Sequence, residues 1–436
     1  MTFFKTISVA VAMMVAPANL MANATADAET CLRADSSDIL KEETAELVGE
    51  IENDEANKKA TQNKMKIAHL YYGVMTGYYG LTIKKDHGGA ATSPEYKSAF
   101  STKVDNVLVF APLAATYTLK LAGVESRNSW QKMAVSNALS IGIAMGTSKI
   151  IENNVTRRRP MGGSDTNCFP STHAVMAFTG ATILSNEYAW KHPWIGVGGY
   201  ACATLTALMR RTNDMHWYSD LSMGASIGIT STELGYWITD ILFKSPKGGK
   251  ARLQKAVIDK SFRPSFANSF MGMSYINSEF NIGNDKISFK KGNKGGLESA
   301  YFFNPYVGAG GQIYVTTNQV KVNGEAQDHA FDCAVIGCGP YFSFPVTNTL
   351  LIGANATASY TTYPNCDLIN TIDYRLGGRD GFGYGAGASL SWLLGGLKQN
   401  IRLYCAYASL PSIAEGSGRL KTFGYGIGFS KMFSVK

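Results

Sequence analysis

The chain has 436 residues and a formal net charge of +8, and only 17% of its residues are charged. This low charge, with 45 glycines, 22 tyrosines and 21 phenylalanines, excludes a disordered chain and is typical of a membrane or glycine-rich β part. The positive charge suits an anionic lipid surface or phosphorylated substrates. No dense basic tract is present, which argues against nucleic acid as a partner.

The first 24 residues have the three regions of a secretory signal peptide in order. Lys5 provides the positive charge, residues 6–17 are mostly apolar, and Ala22-Asn23-Ala24 provides a small-x-small cleavage site. The alternative is a membrane anchor, but the apolar run is short for a span. We therefore expect export, with the mature chain beginning near Thr25.

Residues 25–66 are polar, which predicts a solvated helix or linker, and residues 67–243 are predicted to form a helical domain. Its candidate helices are Val104–Leu121, Trp130–Glu152, His173–Trp190, Trp194–Met209 and Asp220–Phe243.

Several of these helices are long enough to span a bilayer, but charged residues interrupt two of them. Asp105 and Lys120 lie in the first run, and Glu233 and Asp240 lie in the last. Because a charge at mid-membrane costs roughly 2.5–3.5 kcal/mol on insertion scales, we favour a helical bundle outside the bilayer over a multi-span domain.

A basic linker, residues 244–266, separates this domain from a region with a period of two, residues 267–436. Apolar residues from Phe382 to Trp392 alternate with glycine and serine, and the segments 352–360, 401–407 and 423–430 show similar alternation. A soluble β-sandwich would explain part of this pattern. The predicted signal peptide and the glycine/aromatic alternation favour an antiparallel outer-membrane β-barrel of about eight strands.

The seven cysteines are odd in number, and their spacing matches no metal-binding pattern, so we predict no metal. In an exported chain, Cys333 and Cys338 could form a local disulfide.

The segment 157–173 combines arginines with the start of an apolar helix. Pro170 and Ser171 suit a helix beginning near Ser171, and the free amides there would point at an anion. His173 in the same turn could protonate a leaving group. Arg159, expected at the end of the preceding helix, could hold the same phosphate oxygens.

A second segment, 210–220, has the spacing Arg-x5-His-x3-Asp. His216 and Asp220 are four residues apart and would share one face of a helix. A carboxylate bonded to one imidazole nitrogen fixes the tautomer, so His216 could act as a nucleophile toward phosphorus. Arg210 would then approach the phosphate from the preceding helix.

The ordered set Arg-Pro, Pro-Ser-x-His and Arg-x5-His-x3-Asp resembles the type 2 phosphatidic acid phosphatase (PAP2) superfamily over about residues 95–243. The resemblance implies an all-α domain without a metal or other cofactor. It also implies that His216 is the nucleophile, Asp220 its orienting partner and His173 the general acid. The phosphate-binding groups would be Arg159, Arg210 and the amides near Ser171 and Thr172.

The sequence departs from the family pattern at three positions. Thr172 replaces a glycine, and Met209 replaces a serine. Glu152 stands where the pattern has a lysine. Lys149, one helical turn earlier, is the candidate replacement for that charge, and Arg157 or Arg158 are alternatives.

The sequence thus predicts a metal-independent phosphatase of phosphate monoesters or pyrophosphates, using a phosphohistidine intermediate. A barrel in the outer membrane would hold its helical domain in the periplasm and favour a phosphorylated lipid as substrate. Two alternatives stay open: a nonspecific periplasmic acid phosphatase of soluble esters, and a degenerate barrel-anchored protein that only binds phosphate or lipid.

Overall fold

The structure is a computed structural model, and it describes residues 61–62, 65–82, 103–160, 166–213, 215–244, 258, 262–282, 284–363, 366–367, 375–376, 380–394, 399–413 and 418–433. The predicted signal peptide, most of the segment 25–66 and most of the linker lie outside these residues. The helices and strands given below belong to one compact unit, Met65–Ser245 with Leu253–Lys436.

The first half of the described chain is helical, as predicted. Its helices are α1 (residues 65–82), α2 (Val104–Leu108), α3 (Ala111–Leu121), α4 (Trp130–Asn154), α5 (Thr172–Tyr188), α6 (Pro193–Thr212) and α7 (Tyr218–Leu242). The run predicted as one helix from Val104 is divided into α2 and α3.

Helix α5 lies at the centre of the bundle and packs against α3, α4, α6 and α7. Helix α7 approaches it closely because Gly228 has no side chain. A Cβ atom there would lie 2.6 Å from the carbonyl oxygen of Val175 and 2.8 Å from the amide nitrogen of Thr179. This close approach fixes the start of α5 next to the start of α7.

The acidic residues that interrupt the apolar helices point into the bundle and are paired there. Glu233 lies 2.7 Å from Nδ1 of His69 and accepts from Asn186 at 2.9 Å. Asp240 contacts three cations, at 2.7 Å, 3.0 Å and 2.8 Å: Lys66, Arg127 and Lys132. Because these charges are paired, they do not by themselves decide whether the bundle lies inside or outside a bilayer, and its placement outside stays a prediction.

The second half is β-structure. Its strands are β1 (Ser265–Ile276), β2 (Phe280–Ile282), β3 (Asp285–Phe289), β4 (Gly292–Phe302), β5 (Val307–Val322), β6 (Glu325–Pro345), β7 (Leu350–Thr362), β8 (Cys366–Asp367), β9 (Arg375–Leu376), β10 (Gly381–Leu394), β11 (Gln399–Leu410) and β12 (Leu420–Phe433).

Eight of these strands close into an antiparallel barrel in the order β1-β4-β5-β6-β7-β10-β11-β12, and β12 pairs back with β1. The predicted barrel of about eight strands is confirmed. Strands β2 and β3 extend β5 beyond the wall, and β8 pairs only with β9.

The middle of the barrel interior is polar and lies between two apolar clusters, and the outer wall carries aromatic residues at both ends. Glu298 in the interior accepts hydrogen bonds from Asn268, Asn355 and Arg402. Exposed aromatic residues near one end of the wall are Tyr301, Phe303, Tyr306, Phe344 and Trp392; near the other they are Phe382, Tyr384, Tyr407, Phe423 and Tyr425. Two aromatic girdles around an apolar band are typical of a transmembrane barrel.

The suggested disulfide between Cys333 and Cys338 is wrong, because both thiols are free. The two residues are five apart on β6, and an odd separation along a strand places side chains on opposite faces. Cys333 is buried and Cys338 is exposed.

Candidate active site

The start of α5 is capped by the residue that the sequence indicated. The Ser171 hydroxyl accepts from the Ala174 amide at 3.4 Å, so the helix begins at Thr172. The Ser171 amide donates to the Asp220 carbonyl oxygen at 3.1 Å, which ties the start of α5 to the first turn of α7. The amides at this end point away from the helix and offer donors to an anion.

His216 precedes α7 by two residues, so the prediction that it shares a helical face with Asp220 was wrong in its geometry. Its Nδ1 lies 2.9 Å from the carbonyl oxygen of Cys168 and 3.8 Å from Oδ2 of Asp220. The carbonyl is the nearer acceptor and takes the Nδ1 proton. Nε2 of the neutral ring is then left with its lone pair, which a nucleophile requires.

Asp220 is fully buried, and its three closest donors hold it in place. Its Oδ2 accepts from the Trp217 amide at 2.8 Å and from the Cys168 thiol at 2.8 Å. Its Oδ1 accepts from Arg157 at 2.7 Å. Asp220 therefore orders the turn that carries His216, besides lying near the ring itself.

Two arginines converge on the histidines with part of their hydrogen-bonding capacity free. Arg210 donates to Asp105 at 2.8 Å, and Arg159 donates to the Met215 carbonyl oxygen at 3.3 Å. The Nε atoms of both arginines are buried without a partner. Buried guanidinium donors without a partner are rare, and a phosphate oxygen would satisfy them. Arg159 lies in an extended segment and not at a helix end, because α4 stops at Asn154.

His173 lies in the first turn of α5, and its Nε2 is 2.9 Å from Oδ1 of Asn106 in α2. His173 is close enough to His216, Arg159 and Arg210 for their charges to act on it. The structure thus brings together four of the residues that the sequence selected.

Lys149 is not part of this group. Its ammonium lies 3.2 Å from Glu152, and its side chain is 64% exposed. The structure instead places Arg157 beside Asp220, over the ring of Trp217.

Sequence reasoning missed Cys168, Asp105 and Asn106. Each acts on a selected residue from a distant part of the chain, for example Asp105 on Arg210 across 105 positions. The motif spacing contained no signal for them.

Burial lowers the pKa of His216 below its ordinary value of 6.5; Asp220 opposes this shift, while Arg210 and Arg159 favour it. The neutral ring is therefore favoured near neutral pH. Burial also raises the pKa of the Cys168 thiol, and Asp220 adds to the shift. Cys168 is thus a hydrogen-bond donor here and not a thiolate nucleophile.

Within the described residues, Cys168, His216 and Asp220 are a group that could hold a metal ion, with ligand atoms all within 4.8 Å of one another. Arg157 already compensates the Asp220 charge at 2.7 Å, and the Cys168 thiol is protonated. Such a charge balance suits a hydrogen-bonded network better than a cation.

Comparison with known proteins gives a family for the helical domain. Residues 125–243 match the model of the PAP2 superfamily. A lipid A 1-phosphatase of Porphyromonas gingivalis is 34% identical over 228 residues, which are 51% of this chain and 50% of the relative. The chain thus spans about half the length of this curated relative.

Solved structures similar to this chain include outer-membrane barrels. OprG of Pseudomonas aeruginosa is 13% identical and covers 41% of this chain and 100% of its own, with a TM-score of 0.29. Neisserial surface protein A is 12% identical and covers 39% of this chain and 97% of its own, with a TM-score of 0.28. The barrel described above rests on its own strand pairing and not on these similarities.

Proposed function

We propose that this chain, whose residues 125–243 form a PAP2 superfamily domain, hydrolyses phosphate esters of lipids through a phosphohistidine. The observation that carries the proposal is the convergence of His216 and His173 with Arg159 and Arg210, whose Nε atoms are buried without a partner. The similarity to a lipid A 1-phosphatase supports a phosphorylated lipid as the substrate class.

In the proposed first step, Nε2 of His216 attacks phosphorus in line. An N–P bond forms while the bond to the leaving oxygen breaks, and His173 gives that oxygen a proton. Water then attacks the phosphohistidine, His173 takes a proton from the water, and the N–P bond breaks to release phosphate. As the family resemblance implies, these steps use no metal or other cofactor.

Charge develops on the equatorial phosphoryl oxygens during both steps. Arg159, Arg210 and the Thr172 amide are the groups proposed to stabilise it. The Ser171 amide, which the sequence also selected, already donates to the Asp220 carbonyl oxygen and is not available to the phosphate. Asp105 holds Arg210 by accepting from Nη1, which leaves Nε free. Lys149 could contribute only after leaving Glu152 and turning from solvent, so we assign the remaining positive charge to Arg157.

We place the protein in the outer membrane, because the barrel has eight strands, polar groups in the middle of its interior and a wall with two aromatic girdles. The signal peptide predicted in the sequence agrees with export. The periplasmic position of the phosphatase domain stays a prediction from the sequence.

Phosphate release from lipid A or phosphatidylglycerol phosphate in detergent micelles, compared with release from p-nitrophenyl phosphate, tests the substrate class. Preference for the micellar lipids supports the proposal. Equal or better turnover of the soluble ester would favour the alternative of a nonspecific acid phosphatase.

The variant His216→Ala tests the mechanism. We expect release to fall on the order of 10³-fold or more, because the attacking nitrogen is lost. His192→Ala, at an exposed histidine that begins α6, is the matched control and should leave activity unchanged. Persistent release by pure His216→Ala would exclude the phosphohistidine, and a wild type inactive on every ester would favour the binding protein.

A further inference from the structure

The helical bundle packs against the outer wall of the barrel. The Tyr218 hydroxyl donates to the Val315 carbonyl oxygen at 2.9 Å. Arg211, which is fully buried, lies 3.2 Å from Asp332 and donates to Thr317 at 3.1 Å. An acidic residue on the outer wall of a barrel is costly in lipid, and here Arg211 compensates it.

These outer-wall positions follow from the strand register. Thr317 pairs with Asp332 across β5 and β6, so their side chains lie on the same face of the sheet. Tyr314 on β5 has the opposite parity and belongs to the buried core of the barrel. Thr317 and Asp332 therefore face outward, toward the helices.

Helix α6 runs along the wall from one end of the barrel to the other. At its start, the ring of Trp194 stacks on Phe433 at 3.8 Å, and Thr204 in the middle lies 3.4 Å from Ser269. At its end, Arg211 contacts Asp332. Its 20 residues correspond to about 30 Å, which is the thickness of a bilayer hydrocarbon core.

The two barrel ends differ in their connections. The turns 303–306 and 346–349 are short and lie at the end that contains Ser265 and Phe433. At the opposite end, the strand ends Ile276, Thr362 and Leu410 are each followed by a longer stretch of sequence before the next barrel strand, while β5 and β6 are joined there by the two-residue turn 323–324. In outer-membrane barrels the short turns face the periplasm and the long loops face outward.

The phosphate site lies at the long-loop end. Arg210 precedes Arg211 directly, and His216 and Asp220 lie on either side of Tyr218, which contacts the wall. The end of α4 and the segment that carries Arg157 and Arg159 reach the same end.

The rest of the bundle presents an apolar surface. On α1, five residues at helical spacing are between 44% and 66% exposed: Ile67, Leu70, Val74, Tyr78 and Leu81. Among the described helices, α4 is long and apolar enough to cross a membrane, with 28% of its apolar window buried. Glu233 is buried and paired, and the half-buried Asp240 is compensated by Lys66, so neither presents an unpaired charge to lipid.

We infer that the helical bundle spans the outer membrane beside the barrel and that its phosphate site opens at the outer surface, toward lipid phosphomonoesters of the outer leaflet. The statement about substrate rests on the proposed function, whereas the placement rests on the contacts alone. It replaces the periplasmic domain that the sequence predicted.

Lateral packing is tested by a disulfide between Thr204→Cys and Ser269→Cys, whose hydroxyls lie 3.4 Å apart. We expect this pair to cross-link under mild oxidation in membranes. The pair Ala134→Cys with Ser269→Cys is the matched control and should not cross-link, because Ala134 lies on an exposed face of α4. Equal cross-linking of both pairs, or of neither, would overturn the packing.

The side of the membrane is tested by labelling with a membrane-impermeant maleimide. The background carries serine at the native cysteines other than the buried Cys168 and Cys333. Asn153→Cys reports on the site end, and Lys191→Cys, three residues before Trp194, reports on the other end. We expect Asn153→Cys to react in intact cells and Lys191→Cys to react only after the outer membrane is permeabilised.

If neither position reacts in intact cells, the domain lies in the periplasm. If Lys191→Cys reacts in intact cells and Asn153→Cys does not, the bundle has the opposite orientation. Reaction of both in cells that retain a periplasmic marker would show that the bundle does not cross the bilayer. Micellar phosphatase activity of the same variants is measured separately. If labelling is as expected but the protein has no activity, the placement is supported and the proposed function is refuted. If the protein is active but the labelling is reversed, the proposed function is supported and the placement is refuted.

Discussion

His216 is positioned by the backbone of a residue 48 places earlier in the chain. Its Nδ1 lies 2.9 Å from the Cys168 carbonyl oxygen, and the Cys168 thiol in turn donates to Asp220. Asp220 thus orients the nucleophile mainly through the turn and the cysteine. At the scale of single residues, the charges that compensate Asp220 therefore determine whether His216 is held in position.

Arg157→Met should destabilise the folded protein by about 3–5 kcal/mol, because it leaves the fully buried Asp220 carboxylate without its ionic partner. Thermal unfolding in detergent measures the change, and phosphatase activity should fall with it. Arg158→Met is the control at an exposed neighbour and should stay within about 0.5 kcal/mol of wild type. Equal effects of the two variants would contradict the role of Arg157.

The pH dependence of kcat/KM should report the lowered pKa of His216. The ring attacks only when it is neutral. Burial lowers its pKa below the ordinary value of 6.5, so the ring stays neutral at pH values somewhat below 6.5. The acid limb should therefore have its midpoint below pH 6.5. Since the unfolded chain binds the proton more readily, stability should also decline as the pH falls below 6.5. An acid midpoint above 6.5 would show that Asp220 dominates over burial.

At the scale of elements, the site depends on how closely α5 and α7 approach. Ser171 begins α5, and its amide bonds to the Asp220 carbonyl oxygen at the start of α7. Two glycines of α7 allow this contact, because a Cβ at Gly224 would lie 2.8 Å from the Ser171 carbonyl oxygen and one at Gly228 would lie 2.6 Å from that of Val175.

Gly228→Ala should therefore push the helices apart and reduce both stability and kcat. Overpacking of this kind costs about 1–3 kcal/mol. Gly146→Ala on α4 is the matched control: a Cβ there meets nothing within 4 Å, so replacing a helical glycine should stabilise by about 0.5–1 kcal/mol. Circular dichroism melts and steady-state kinetics on both variants give the comparison, and a neutral Gly228→Ala would mean that the helices can separate without loss.

At the scale of the whole molecule, the sequence could predict the features that depend on local patterns but not those that depend on contacts between distant residues. Local periodicity was sufficient for the helices and for the alternation from Phe382 to Trp392, and motif spacing selected His173 and His216. The pairing of Asp105 with Arg210 and the position of the bundle on the barrel could not be read in this way. They depend on contacts between residues more than a hundred places apart, and the sequence around either residue of such a pair does not indicate which residue it contacts.

One of these distant contacts joins Arg211 to Asp332, and a double-mutant cycle tests whether the two charges meet in the folded protein. Arg211→Met and Asp332→Leu should each destabilise by about 3–5 kcal/mol, because each leaves the other charge buried and unpaired. The double variant should lose less than the sum, since an apolar pair needs no compensating charge. Thermal unfolding of the intact protein in detergent supplies all four values. If the two losses simply add, the two charges do not meet in the folded protein. If they couple, the wall of the barrel is part of the framework that holds Arg210 and His216 in place.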